Sequence, residues 1–152
     1  MTLKGYQKIQ EEIRKLKNVD RPQVVEAIAT AREYGDLSEN AEYHAAKDRQ
    51  GMIEARLADL EDKLSRADVI DTSKIKSEAI QFGATINVVD EDTGVESKFQ
   101  IVGSDEADVK NGLLPITSPI ARALIGQRVD STVEINVPGG VKVYTVLKIE
   151  YI

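Results

Sequence analysis

At 152 residues the chain has room for one domain or two small ones, and 41% hydrophobic with only 5% aromatic residues points to a thin core. A formal net charge of −6 excludes a surface built for non-specific grip on nucleic acid, so any such contact must be local. The absence of Cys excludes disulfides, thiolate metal sites and a Cys nucleophile. The opening Met1-Thr2-Leu3-Lys4-Gly5-Tyr6 lacks a basic region followed by an apolar core, so no signal peptide is expected. No apolar run approaches the roughly 20 residues that cross a bilayer, and a soluble cytoplasmic protein is the simplest expectation.

In chain order, the first predicted helix runs from about Leu3 to Asn18, with Thr2 as N-cap and Tyr6, Ile9, Ile13 and Leu16 as its apolar stripe. Pro22 suits a first helical position and predicts a break at Asp20 or Arg21, then a second helix from Pro22 to about Tyr34. A third helix is predicted from about Ser38 to Ala67, roughly 45 Å long at the usual rise. Along it Tyr43, Ala46, Gln50, Ile53, Leu57, Leu60, Leu64 and Ala67 alternate steps of three and four, and Val24, Ile28, Ala31 and Gly35 keep the same rhythm. That spacing is the seam of a coiled coil, and so short a connection folds the two runs into an antiparallel hairpin. Residues 73–81 have no clear period and read as a linker. From Phe82 the period is two. Two hairpins are predicted, around Asp92-Thr93-Gly94 and Pro138-Gly139-Gly140, with one short helix between them that Ser118 caps, Pro119 opens and Gly126 ends. The second half is therefore a small α+β domain in which an antiparallel sheet packs on one helix.

The connection Gly35-Asp36-Leu37-Ser38-Glu39-Asn40 carries the chemistry. Asp36 and Glu39 are three apart, so their carboxylates can converge on one point and offer oxygen ligands to Mg²⁺. Two exposed carboxylates bind that ion weakly, so a partner would have to supply the remaining ligands, as in two-metal phosphoryl transfer. The same spacing fits a capping box, with Asp36 as N-cap and Glu39 as its reciprocal partner. Both readings stand on spacing alone. Arg32, Lys47, Arg49 and Arg56 lie within a few turns of the acids, either as a solvated helix face or as phosphate contacts. His44 is the only histidine, which excludes a His-rich site, and Glu42 faces solvent or a basic neighbour. Tyr34 and Tyr43 read as packing at the hairpin end. There is no phosphate-binding loop, and no Ser/His/Asp order suggests a triad.

The run Ala31-Arg32-Glu33-Tyr34-Gly35-Asp36-Leu37-Ser38-Glu39-Asn40-Ala41-Glu42-Tyr43-His44-Ala45-Ala46-Lys47 closely resembles the tip signature of the Gre family of bacterial transcript cleavage factors. Met1–Gly5, Phe82–Thr85, Ile101–Ala107 and Ser118–Gly126 agree with that family as well, so the resemblance covers essentially the whole chain. It implies a two-domain α+β protein: a coiled-coil hairpin over 1–72, a linker over 73–81, and over 82–152 a domain similar to the FK506-binding-protein fold. It further implies a monomer that binds RNA polymerase, inserts its hairpin into the secondary channel and stimulates the polymerase to cleave its own backtracked transcript. By position, Asp36 and Glu39 match the family's catalytic, Mg²⁺-retaining acids, the ion being shared with the polymerase and no cofactor being held tightly alone. Arg32 and Lys47 match positions near the nascent RNA 3′ end, with Arg49 and Arg56 extending that basic patch, and Ser118-Pro119 match the polymerase-docking region. His44-Ala45-Ala46 and the modest patch favour the A-type branch. Two other readings are a channel-plugging polymerase inhibitor, which the lack of extra acids between Gly35 and Asn40 disfavours, and a prolyl isomerase or chaperone, which the few aromatic residues of 82–152 disfavour.

Overall fold

Helical backbone runs without a break from Leu3 to Arg32, in three pieces: α1 (Leu3–Lys15), a π-helical turn (Leu16–Asp20) and α2 (Arg21–Arg32). The predicted break at Asp20 or Arg21 is absent, since Lys15, Asp20 and Arg21 all hold right-handed helical angles. The physical reason lies in Pro22 and in the spacing of the seam. A proline ring inside an α-helix crowds the carbonyl four residues back and donates no hydrogen bond. Here the helix widens just before it, with Arg21 N–H donating to Leu16 O across five residues. The buried Leu16 and Val24 are eight positions apart, one more than a heptad, whereas Ile9-Ile13-Leu16 and Val24-Ile28-Ala31 keep steps of four and three. A π turn absorbs one added residue, so the stripe leaves it on the face where it entered.

The computed structural model describes residues 1–35 and 40–152. After the connection comes α3 (Ala41–Ser65), 25 residues and roughly 37 Å long. Its seam is the predicted one: Ile53, Leu57 and Leu60 are buried, and Tyr43, Ala46, Gln50, Leu64 and Ala67 are half-buried. α2 lies antiparallel against it. Arg21 donates from Nε and Nη2 to both carboxylate oxygens of Glu54 at 2.8 and 2.9 Å, Lys17 meets Glu61 at 2.8 Å, and Arg56 meets Glu12 at 2.9 Å. Pairs this exposed add little stability, but they agree with the register that the apolar seam sets. Tyr6–Ala67 form one unit, and Met1–Gly5 with Asp68–Ile152 form the other.

In the second unit five strands, β1 (Thr85–Asp90), β2 (Glu96–Val102), β3 (Leu113–Pro115), β4 (Thr132–Val137) and β5 (Gly140–Glu150), make one sheet in the order β3-β2-β1-β5-β4. Both predicted hairpins are present as β1–β2 and β4–β5. Alternate residues Ile86 and Val88, Val133 and Ile135, Tyr144 and Val146 point into one core, which the helix α4 (Pro119–Leu124) closes with Ala121 and Leu124. The sheet is not wholly antiparallel as expected, because β3 pairs with β2 in parallel. A parallel neighbour needs a crossover, and residues 103–112 supply it with two 3₁₀ turns.

Residues 73–81 are not a free linker. Ile80 is 1% exposed within the core, its N–H donates to Gln127 O at 2.8 Å, and its carbonyl accepts from Gly126 N–H at 2.7 Å. The Tyr151 hydroxyl donates to Ala79 O at 2.6 Å. Contacts made one residue at a time leave no period in a sequence. The first five residues likewise belong with this unit, not with the hairpin: Leu3 N–H donates to Ile70 O at 3.0 Å and Ile70 N–H to Met1 O at 2.9 Å. The Glu106 carboxylate accepts from Thr2 N–H at 2.8 Å, from the Thr2 hydroxyl at 2.6 Å and from Gly103 N–H at 2.9 Å. Thr2 is also the predicted cap of α1, its hydroxyl accepting from Gly5 N–H at 3.1 Å. Gly5 has no room for a side chain, because a Cβ there would sit 1.7 Å from Glu106 Oε2.

Candidate functional site at the hairpin tip

α2 ends where Tyr34 N–H turns back to Ala31 O at 3.2 Å, and the next residue, Gly35, takes φ +105°, a conformation that suits only glycine. Asp36, Leu37, Ser38 and Glu39 lie outside the described residues, so both predicted metal-binding acids and the predicted start of the third helix at Ser38 fall there. Asn40 caps α3. Asn40 Oδ1 accepts from Tyr43 N–H at 3.0 Å and its carbonyl accepts from His44 N–H at 3.1 Å.

That cap corrects one of the two readings of the acids. A capping box on Asp36 and Glu39 needs Asp36 at the N-cap and Glu39 in the first helical turn. With the cap at Asn40 and the helix opening at Ala41, both acids precede α3. The sequence contained the signal, since Asn stands directly before the helical pattern and is among the best capping residues. It was outcompeted by the more complete Asp-x-x-Glu pattern upstream.

The Asn40 side chain makes a second bond that sequence reasoning missed. Its Nδ2 donates to Ala31 O at 2.5 Å, across nine residues of chain. One amide therefore ties the last turn of α2 to the first turn of α3. Beside it the Arg32 guanidinium lies 5.9 Å from the centre of the Tyr43 ring, a second link between the two helices, and the Tyr43 and His44 rings meet edge to face at 5.6 Å. Tyr43 thus packs the hairpin end as expected, while Tyr34 is 70% exposed.

The basic residues do not form one patch. Arg32, Lys47 and Arg49 are exposed near the tip; Lys47 reaches Gln50 Oε1 at 3.4 Å, and Arg49 has no ion-pair partner among the described residues. Lys47 and Arg49, two apart on a helix, look in different directions. Arg56 stands apart from the other three, roughly 24 Å along α3 from Asn40. Glu12 holds it at 2.9 Å with Asp59 at 3.4 Å, and the Glu12 hydrogen bond raises the Arg56 pKa above its ordinary value. Its charge is already matched, so grouping it with the tip cations is a correction that the ion pairs impose. Glu42 is exposed in the first turn of α3. Among the described residues no three His, Asp or Glu side chains converge as a metal site.

Ser118 and Pro119 belong to the sheet-bearing unit. Ser118 Oγ accepts from Ala121 N–H at 3.2 Å and Pro119 fills the first turn of α4, so the dipeptide does the capping work predicted for it. No helix among the described residues is long and apolar enough to cross a membrane.

Comparison with known proteins covers both units. The family profile "Transcription elongation factor, N-terminal" matches residues 1–69, and "Transcription elongation factor, GreA/GreB, C-term" matches residues 75–151. The chain is 57% identical over 152 residues to transcription elongation factor GreA of Caulobacter vibrioides, covering 100% of this chain and 97% of that protein. It is 56% identical over 151 residues to the factor of the same name from Bradyrhizobium diazoefficiens, covering 99% and 96%. Among solved structures, the GreA factor homolog 1 (Gfh1) protein of Thermus thermophilus aligns at 26% identity and a TM-score of 0.44, covering 99% of this chain and 97% of that one.

Proposed function

The chain belongs to the GreA/GreB family of transcription elongation factors, and from that premise we propose that it stimulates RNA polymerase to cleave its own backtracked transcript and is not itself a nuclease. The hairpin enters the polymerase secondary channel, and Asp36 and Glu39 act in the active centre. The observation that carries this reading is the cap. Asn40 satisfies the start of α3, so the two acids have no capping duty to perform for that helix.

The hairpin's dimensions support delivery into a channel. Two packed helices are roughly 20 Å across with their side chains, and α3 extends roughly 37 Å. The donor set supports a shared ion. Two carboxylates fill about a third of an octahedral Mg²⁺ shell, which suits an ion whose other ligands are polymerase carboxylates, water and RNA phosphate. When bound there, Mg²⁺ would supply Lewis acidity for hydrolysis of the phosphodiester. This chain's own part is to hold two oxygen donors at a fixed place and to present Arg32, Lys47 and Arg49 to the extruded 3′ end of the RNA. Arg56, already paired, contributes to the rod. Ser118 and Pro119 present the first turn of α4 to the polymerase rim.

The test is a stalled, backtracked elongation complex incubated with this protein and Mg²⁺. Release of a short 3′ fragment, with recovery of a chain that can be extended, is the expected result. Intact RNA at saturating protein, or undiminished cleavage by the Asp36→Asn/Glu39→Gln variant, overturns the proposal. Slowed extension with no fragment released would identify a channel inhibitor instead.

A further inference from the structure

Capping α3 requires only an acceptor, and Asn40 Oδ1 provides it. The donor half of the same amide has no part in that task, yet it closes a 2.5 Å bond to Ala31 O. Ala31 is 3% exposed and belongs to the buried seam, so the bond anchors to the packed face of α2. The two partners also fix which way the amide faces, since a carbonyl can only accept and a backbone N–H can only donate. Among the good capping residues, Ser and Thr are too short to span both helices and Asp has no donor. Only Asn does both at once.

We infer that Asn40 is a positioning residue for transcript cleavage: by bonding Ala31 O and Tyr43 N–H together, it fixes the separation of the two helix ends between which Asp36 and Glu39 are strung. This rests on the function proposed above and adds a requirement to it. A donor pair that completes another protein's metal shell is useful only if its ends are held, because a misplacement of about 1 Å costs on the order of 100-fold in rate. Arg32 over Tyr43 joins the same two helices, but through a long flexible side chain, and cannot set a distance as a planar amide does.

Two substitutions separate capping from cross-linking. Asn40→Asp keeps the acceptor, loses the donor and sets a carboxylate oxygen against the Ala31 carbonyl. Asn40→Ser keeps a capping hydroxyl, adds no charge and cannot reach Ala31. Neither is expected to lower the thermal midpoint of the hairpin by more than roughly 4–8 °C, the scale of one lost hydrogen bond, since all three residues cap comparably and Ala31 O keeps its bond from Tyr34 N–H. With backtracked complexes, both variants should lower the saturating cleavage rate roughly 10- to 100-fold. Both should also need more Mg²⁺ for half-maximal cleavage, while the protein concentration giving half-maximal effect stays the same. Full saturating rates in both variants overturn the inference. So does a loss that appears only in half-saturating concentration or only in thermal midpoint, which would mark Asn40 as merely structural. Asp36→Asn/Glu39→Gln run in parallel keeps the two ideas apart. If that variant is inactive while the Asn40 variants cleave normally, the positioning role fails and the proposed function stands; if it cleaves normally, the proposed function itself fails.

Discussion

Two helix caps in this molecule do similar local work and serve different ends. Thr2 caps α1 and spends its remaining hydrogen-bonding capacity on Glu106, 104 positions away. Asn40 caps α3 and spends its own on Ala31, nine positions away. In each case the capping bond is local and the second bond ties together parts that helix formation alone would leave apart. At Thr2 the second bond completes a three-donor shell around a carboxylate inside a packed unit, where its loss should be felt as stability. At Asn40 it spans the segment bearing the acids, where its loss should be felt as activity. A cap residue's second partner thus says more about its purpose than the cap does.

The largest test of that contrast sets one end against the other. Asp36→Asn/Glu39→Gln should lower saturating cleavage by about 100-fold or more, the scale lost when a charge-stabilising group is removed from a reaction centre, with the thermal midpoint unchanged. Glu106→Ala should do the reverse. It leaves Thr2 N–H, the Thr2 hydroxyl and Gly103 N–H without their acceptor, at a cost of about 2 kcal/mol. Calorimetry should show the unit that contains it melting roughly 8–16 °C lower, with saturating cleavage near normal at a temperature where the variant is folded. A cleavage defect in Glu106→Ala as deep as that of the tip variant would break the comparison.

A sharper version uses Gly5. Its missing side chain makes room for the Glu106 carboxylate, so Gly5→Ala should displace that group and cost about 2 kcal/mol through the same lost bonds. Within α1, however, Ala is the better helix former by about 1 kcal/mol. In the Glu106→Ala background the carboxylate is gone and only the Cβ of residue 106 stands close, 3.1 Å from the added methyl, so Gly5→Ala should cost much less than it does in the unaltered chain. A double-mutant cycle by chemical denaturation reads this coupling, and additive effects would show that Gly5 and Glu106 do not share one site.

The same division runs along the hairpin. Arg32→Gln or Arg49→Gln should weaken cleavage several-fold, as expected for lost phosphate contacts, and hardly touch stability. Arg56→Gln should leave the cleavage rate alone and instead free Glu12.

How much of this was legible follows from how each feature writes itself into sequence. The seam of α3 was readable residue by residue because burial at steps of three and four repeats over many turns. The two hairpins were readable because alternation and Gly-containing turns reinforce each other. The π turn at Leu16–Asp20 was written as well, as one residue too many between Leu16 and Val24, but Pro22 beside it pointed to a break and drowned that signal. β3 is three residues ending in Pro115, too short to show any period. Ile80, Glu106 and the second bond of Asn40 left no trace, since each depends on a single partner set by tertiary structure. At the tip, Asp36 and Glu39 stand out in the sequence as the proposed acids, while nothing in the sequence signals the Asn40–Ala31 bond that joins the two flanking helices.

The smallest expected effect concerns pH and the exposed ion pairs that flank the seam. Lys17 hydrogen-bonds Glu61 at 2.8 Å and holds its carboxyl below the ordinary value of 4.5. A carboxylate lowered in the folded state stabilises at pH above its unfolded value, and that contribution fades as pH falls through the lower, folded value. The hairpin should therefore lose a little stability as pH drops below about 4.5 and none between pH 5 and 8 from this pair. Both side chains are about half exposed, so the loss should shrink further in 1 M salt, where screening acts within about 3 Å. Lys17→Gln should flatten that part of the acid limb without changing the midpoint at pH 7 by more than roughly 1–2 °C. A larger drop at neutral pH would mean that ion pairs, and not the buried Leu57, Leu60, Val24 and Ile28, hold the two helices together; the positioning of the tip would then be salt-sensitive, which a seam of apolar contacts does not permit.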